Sequence, residues 1–271
     1  MRMRRSQMQE LKKIAQGGLA RLFLASAPSG GLVVVRELHR HHALRLRTQR
    51  HFLRGLHIRR RLSPHPNIVA PLTWGYNGII PYEIIEYVPG RNLHEMILHD
   101  YDNAQTQALH VLRETAKAIA YMHDSNYLHL DVKAENVLVD NTRPDAPPVV
   151  KLTDFDLSRR FRGGRFRLRC GTASHMAPEQ LRRGTVTFAN DIFAYGVMAY
   201  YLVTRKMPFS AFSLEEVRRQ QVSESFAVVE PAKLSPGLTP KLNWIIMRCL
   251  EKDPDQRFPN MAYLLQELGR M

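Results

Sequence analysis

The chain has 271 residues, 44% of them hydrophobic, enough to bury a substantial core as one large domain or two lobes; a disordered chain is excluded. Lysine and arginine number 39 against 25 aspartate and glutamate, and the formal net charge of +14 favours acidic partners such as nucleotides, nucleic acid or anionic lipid without choosing among them. Cys170 and Cys249 are the only cysteines and lack C-x-x-C or zinc-ligand spacing, which argues for a reducing setting and against a structural metal.

Taken in order, the chain opens with basic Met1 to Arg5, but Ser6 to Lys13 is polar and supplies no apolar leader segment. No apolar run approaches the roughly 18 residues that cross a bilayer, so the sequence reads as soluble and cytoplasmic. Leu11 to Ala25 mixes Gly17-Gly18 with Leu19, Leu22, Phe23 and Leu24, which predicts two strands joined by a glycine turn; Val33-Val34-Val35 predicts a third. The segment Ala43 to Leu62 reads as a helix carrying Arg45, Arg47, Arg50, Arg54, Arg59, Arg60 and Arg61 on the faces not taken by Leu44, Phe52, Leu56 and Leu62. This is either a solvated basic face or a dock for an acidic partner, nucleic acid being the less favoured choice. No acid occurs from Leu38 to Tyr82.

Ile79-Ile80 and Glu83-Ile84-Ile85 read as two further strands running into Glu86-Tyr87-Val88, and Pro89-Gly90 breaks the chain. Leu93 to Leu98 and Gln105 to Asp124 have helical apolar spacing. Then comes the densest chemistry, His129-Leu-Asp131-Val-Lys133-Ala-Glu-Asn136, immediately before the apolar strand Val137-Leu138-Val139. Polar groups crowded there are costly to hold without a function, and a carboxylate, an ammonium and an amide suit phosphoryl transfer. After a Pro-rich turn and the strand Val149 to Leu152 come Thr153-Asp154-Phe155-Asp156-Leu157, then Ser158 to Arg169 with six arginines and no threonine or tyrosine. Cys170 to Glu179 ends in Ala-Pro-Glu, Asp191 to Gly196 opens an apolar helix, and Leu214 to Met271 reads as helices with proline joints.

The spacing D-x-K-x-x-N at Asp131, Lys133 and Asn136 resembles the catalytic loop of the protein kinase family, and about ten landmarks from Ile14 to Met261 follow that family's order. The resemblance implies an α+β, two-lobed protein kinase-like fold: a small β-rich lobe with one basic helix, and a larger helical lobe. It further implies a single domain over 1–271, with the small lobe at about 1–87, a hinge at 86–90 and the large lobe at about 91–271. It implies ATP, with Mg2+ or Mn2+, and a protein substrate. Asp131 and Lys133 would be catalytic, and Asn136 and Asp154 would hold metal. Gly17, Gly18, Leu22, Arg36, Ile85, Glu86 and Val88 would meet the nucleotide, and Glu179 would pair with Arg257.

The departures lie mostly in the small lobe. Ala15 and Ala20 stand at two of the three glycine positions of the phosphate loop, so a plain hairpin turn is an equal reading of that stretch. Arg36 replaces the family lysine, Gly55 falls where the helix glutamate should be, and Asp156 replaces the glycine of Asp-Phe-Gly. Asp156 would take the left-handed backbone less readily than glycine, making that segment harder to flip. Leu130 replaces the arginine that receives a loop phosphate, and Ser158 is the one residue of the arginine-rich loop left as an acceptor. Thr172 and Lys133 resemble serine/threonine rather than tyrosine kinases. Two readings follow: a protein Ser/Thr kinase of atypical or reduced activity, or a pseudokinase that binds nucleotide or serves as a noncatalytic scaffold.

Overall fold

A computed structural model describes residues 5–164, 166–168 and 171–271. The basic start Met1–Arg4, two of the loop arginines (Arg165 and Arg169) and Cys170 lie outside the described residues. The chain begins with an antiparallel five-stranded sheet, β1 (Gln9–Gln16), β2 (Ala20–Ser26), β3 (Leu32–Leu38), β4 (Pro71–Asn77) and β5 (Ile80–Glu86), in the order β1-β2-β3-β5-β4. Helix α1 (Leu46–Leu62) crosses between β3 and β4.

Side-chain alternation sorts this sheet into two faces. Val33 and Val35 join Phe23, Ala25, Tyr82 and Ile84 in one cluster. Val34 turns the other way with Ile85 and Val69. Arg36 and Leu38 share that second face by the same period, and Leu38 packs on Phe52 and Leu56 of α1. The register sets Arg36 directly opposite Glu83 and Val34 opposite Ile85.

Two expectations are corrected here. Ile79-Ile80 and Glu83-Ile84-Ile85 are not two strands: the second belongs with Ile80 to β5, and the missing partner is β4, reached through a two-residue turn at Gly78-Ile79. Gly78 has φ 61°, the first central position of a II′ hairpin, which the right-handed strand twist favours. On α1, Arg59 is buried rather than solvated, at 1% exposure, while Leu44 precedes the helix and is 85% exposed.

The second lobe begins at Gly90, where φ is 97° and the backbone runs against the Val139 carbonyl. A three-stranded sheet, β6 (Arg91–Asn92), β8 (Val137–Asp140) and β9 (Val149–Leu152), packs against helices α2 (Leu93–His99) and α4 (Ala108–Asp124), with α3 (Tyr101–Thr106) between them in sequence and β7 (Tyr127–Leu128) following α4. Beyond it come α5 (Pro178–Arg183), the almost wholly buried α6 (Phe188–Thr204), α7 (Leu214–Val222), α9 (Pro240–Cys249, after the short α8, Pro231–Leu234) and α10 (Met261–Gly269). Arg257 joins this lobe together: its guanidinium grips both Glu179 oxygens at 2.9 Å and donates to the carbonyls of Ala189 and Glu251. That pair is the one the family resemblance implies. Among the described residues no helix is long and apolar enough to cross a membrane. The architecture is the expected α+β arrangement of an antiparallel sheet lobe and a helical lobe.

Candidate active site

A cavity of about 730 Å3 opens between the sheet and the helical lobe. Its walls are apolar above and below: Leu22, Val34 and Ile85 come from the sheet, Val69 from the link before β4, and Leu138 from β8. These side chains suit a flat heterocycle, and Glu86, Tyr87 and Val88 offer backbone at the edge. The amide of Glu86 already donates to Ala70 O at 3.0 Å, and its carboxylate holds Ala70 N and Lys151.

The glycine turn between β1 and β2 covers the cavity, closed by Gly17 N donating to Ala20 O at 3.0 Å. Two histidines of the β3–α1 link brace it from outside: His39 donates to Gly17 O at 2.8 Å and His42 to Gly18 O at 3.3 Å. Ala15 and Ala20, like Gly17 and Gly18, do not take a left-handed backbone, so alanine at those two positions imposes no backbone strain on this turn.

The cavity floor carries Lys133, Asn136 and Asp154. Asp191, at the start of α6, organises the loop above it by accepting from His129 N at 2.9 Å and Leu130 N at 2.8 Å. Those two bonds hold Leu130 at φ 66°, a conformation an unbranched polar or glycine residue adopts more readily. Burial alone would raise the Asp191 pKa, but its bond and charge contact with His123 hold it below the ordinary range.

Asp131 collects donors from three directions. Lys133 Nζ lies 2.8 Å from Oδ2, Thr172 Oγ1 donates to Oδ1 at 2.7 Å, and Asn136 Nδ2 donates to Oδ2 at 3.0 Å and to the Asp131 carbonyl at 2.8 Å. Burial works against the charged form, yet Lys133 and Thr172 keep the Asp131 carboxyl below its usual pKa. Since the Asn136 amide nitrogen is turned to Asp131, its oxygen is the atom left to face the cavity with Asp154. One carboxylate and one amide oxygen fit a hard divalent cation that completes its shell with phosphate oxygens and water.

The back of the cavity differs most from expectation. Arg36, only 6% exposed, donates to Glu83 Oε1 at 2.9 Å and to Asp156 Oδ2, with Asp154 Oδ1 4.0 Å away. Arg59 of α1 reaches the same Glu83 oxygen at 2.6 Å, in an ion contact rather than an aligned hydrogen bond. Desolvation disfavours the Glu83 charge, but Arg59 and Arg36 together hold its pKa below the ordinary value. Burial, with the carboxylates of Asp154 and Glu83 close by, pushes Asp156 up to about 7 against the pull of Arg36. The positive φ expected at Asp156 is found instead at Asp154, at 60°. Hence Asp156 occupies the family's glycine position without using glycine's freedom.

Ser158 does not serve as an accessible acceptor: it is fully buried, and its hydroxyl donates to His129 O at 3.1 Å. Sequence reasoning missed Val34, Val69 and Leu138 as cavity walls, although the period-2 alternation of β3 already assigns Val34 to the face of Arg36. It also missed Glu83, His39 and His42. Every one of Asp131, Lys133, Asn136, Asp154, Gly17, Gly18, Leu22, Arg36, Ile85, Glu86 and Val88 lies in or against this one cleft.

Comparison with known proteins agrees with this geometry. The chain is 29% identical over 216 residues to the serine/threonine-protein kinase PknB of Mycolicibacterium smegmatis, covering 76% of this chain and 33% of that protein. It is 28% identical over 257 residues to the serine/threonine-protein kinase pkn3 of Myxococcus xanthus, covering 90% of this chain and 46% of that protein. The PknB of Mycobacterium leprae is 27% identical over 215 residues, covering 76% and 33%. The chain therefore matches less than half the length of these relatives. The sequence model of the protein kinase domain matches residues 8–267, nearly the whole chain, and the chain belongs to that family.

Proposed function

We propose that this chain is an ATP-dependent protein kinase domain, transferring the γ-phosphoryl group to serine or threonine hydroxyls of a protein. The observation that carries this reading is the convergence of Lys133, Thr172 and Asn136 on the Asp131 carboxylate at the mouth of an apolar-walled cleft. Asp131 orients the incoming hydroxyl and takes its proton as the hydroxyl oxygen bonds the γ-phosphorus and the bond from that phosphorus to the departing ADP oxygen breaks. Lys133 balances charge growing on the transferred group, and Arg36 faces the phosphates deeper in the cleft. Asn136 and Asp154 would hold Mg2+, or Mn2+ as the substitute, and the ion would supply positive charge to offset that of the phosphate groups. The Glu86 carbonyl and Val88 backbone meet adenine, and Ile85 limits the pocket behind it. The serine/threonine assignment is supported by the bond from Lys133 Nζ to Thr172 Oγ1 at 2.8 Å and by the names of the relatives.

Incubation with γ-labelled ATP, Mg2+ or Mn2+, and peptides differing only in Ser, Thr or Tyr tests this. Label is expected on Ser and Thr; label confined to Tyr, or none with either metal, overturns it.

The exposed guanidinium groups of Arg45, Arg47, Arg50, Arg60 and Arg61 support an acidic partner along 43–62. Reversing two of them, Arg47→Glu with Arg50→Glu, is expected to abolish salt-sensitive retention on immobilised polyglutamate. Unchanged retention removes this face as the dock.

A further inference from the structure

The most unusual arrangement in the molecule is at the back of the cleft, where α1 supplies no acid to Arg36. The guanidinium is enclosed by Glu83 from β5, Asp156 and Asp154 from the segment after β9, and the Phe52 ring of α1 at 4.7 Å. A buried guanidinium needs such partners, since an unpaired charge there is strongly unfavourable. What α1 contributes at its point of closest approach is an absence of side chain. A Cβ on Gly55 would lie 2.9 Å from Asp156 Oδ1 and 2.9 Å from the carbonyl carbon and oxygen of Phe155. Glycine in the middle of a 17-residue helix is unfavourable for the helix itself, so the position is set by what packs against it.

Both oxygens of Asp156 are thereby accounted for. Oδ2 is on Arg36 and Oδ1 is against Gly55, so the carboxylate points to the sheet and helix rather than to the open floor shared by Asn136 and Asp154. One helical turn beyond Gly55, Arg59 ties α1 to the sheet through Glu83, placing the cation on the helix and the anion on the strand.

We propose that Asp156 is a positioning residue that supplies from the Asp-Phe-Asp segment the carboxylate holding Arg36 toward the nucleotide phosphates, with Gly55 as its compensating partner on α1. The inference rests on the kinase reading above only for the identity of the ligand. In this arrangement the carboxylates on Arg36 come from β5 and the Asp-Phe-Asp segment, while α1 contributes the clearance at Gly55 and the Phe52 ring. Movement of the Asp-Phe-Asp segment removes the Asp156 carboxylate from Arg36, leaving Glu83, and displaces Asp154 with it.

The test uses the full chain at pH 8. ATP affinity is measured by calorimetry with and without Mg2+, alongside KM and kcat for ATP and the melting temperature. Asp156→Asn keeps the shape and removes the charge. It is expected to weaken ATP binding and raise KM about tenfold, the scale of one charge-assisted hydrogen bond, with kcat within about threefold. Because Asp156 acts through Arg36, the same change made on an Arg36→Met background is expected to have no further effect on ATP affinity.

An equal loss on both backgrounds means that Asp156 acts on the ligand or metal by itself, and overturns the proposal. So does a fall in kcat with KM unchanged, or no effect of Asp156→Asn at all. Where Arg36→Met does not fold, the KM-against-kcat split of Asp156→Asn decides alone. A wild-type chain that binds ATP in an Asp156-dependent way but transfers no phosphate keeps this inference and removes the kinase reading. Active transfer with Asp156→Asn unaffected does the reverse, and a wild-type chain that binds no ATP removes both.

Discussion

Asp131→Asn is expected to lower phosphoryl transfer by about 10²–10⁴-fold, the range that a positioned proton acceptor contributes, while ATP affinity stays within about threefold. The substitution preserves the shape of the side chain but removes the charge that Lys133 neutralises at 2.8 Å. It also creates a local conflict. Oδ1 now accepts from Thr172 N and Oγ1, and Oδ2 accepts from Asn136 while contacting Lys133, so an amide nitrogen at Oδ2 meets only donors, and one at Oδ1 leaves Thr172 N without its acceptor even where the Thr172 hydroxyl turns to accept. That conflict costs about 1–3 kcal/mol of stability, so the melting temperature must be followed beside the rate.

The pH profile supplies a second readout. Because Lys133 and Thr172 hold the folded Asp131 pKa below its usual value, the carboxylate stays ionised until the pH falls below the ordinary aspartate range. No acid limb from Asp131 is therefore expected in kcat/KM between about pH 5 and 8. Transfer at the wild-type rate in Asp131→Asn, or an Asp131-dependent acid limb near neutrality, contradicts the assigned role.

The two-lobed architecture and the floor of the site are readable from the sequence because each landmark carries its own local signal. Asp131, Lys133 and Asn136 sit within six residues on a loop bounded by an apolar strand, and such a cluster keeps its geometry wherever the fold places it. The back of the site is not local. Arg59 belongs to a run of like charges on α1, and nothing within that run distinguishes the one arginine that a buried acid draws inward. The acid itself was within reach. Val34 and Arg36 share a face of β3 and Ile85 shares it from β5, so alternation assigns Glu83 to that face too, one residue past the acid-free span Leu38 to Tyr82.

β4 escaped notice because Pro71 and Gly75 interrupt its apolar pattern, although the Asn77-Gly78 turn beside Ile79-Ile80 marks a hairpin there. His39 and His42 gave no signal at all. Their roles arise only when the β3–α1 link folds back onto the glycine turn.

Glu83→Gln is expected to destabilise the fold by about 3–5 kcal/mol, the cost of removing one partner from a buried ion network, lowering the melting temperature by about 10 °C. Glu83 is 1% exposed and carries the only carboxylate among the described residues that contacts both Arg36 and Arg59. Arg36 keeps Asp156 after the change, whereas the fully buried Arg59 loses its ion contact and is left with the Phe155 ring face at 5.2 Å and a charge interaction with Asp156. Removing that cation with it, as Glu83→Gln plus Arg59→Met, is expected to recover much of the loss, because a well-packed apolar side chain can replace a buried ion.

Acid titration separates this charge effect from lost packing. The folded pKa of Glu83 lies below its ordinary value of 4.5, so between the two values the unfolded chain binds more protons and stability rises with pH. The contribution is therefore complete above about pH 5 and is lost as the pH falls through the depressed folded value. The stability gap between the native chain and Glu83→Gln is expected to be constant from about pH 5 to 8 and to narrow only below about pH 4. A gap that stays constant into acid would mean that side-chain packing, not the paired charge, ties α1 to the sheet.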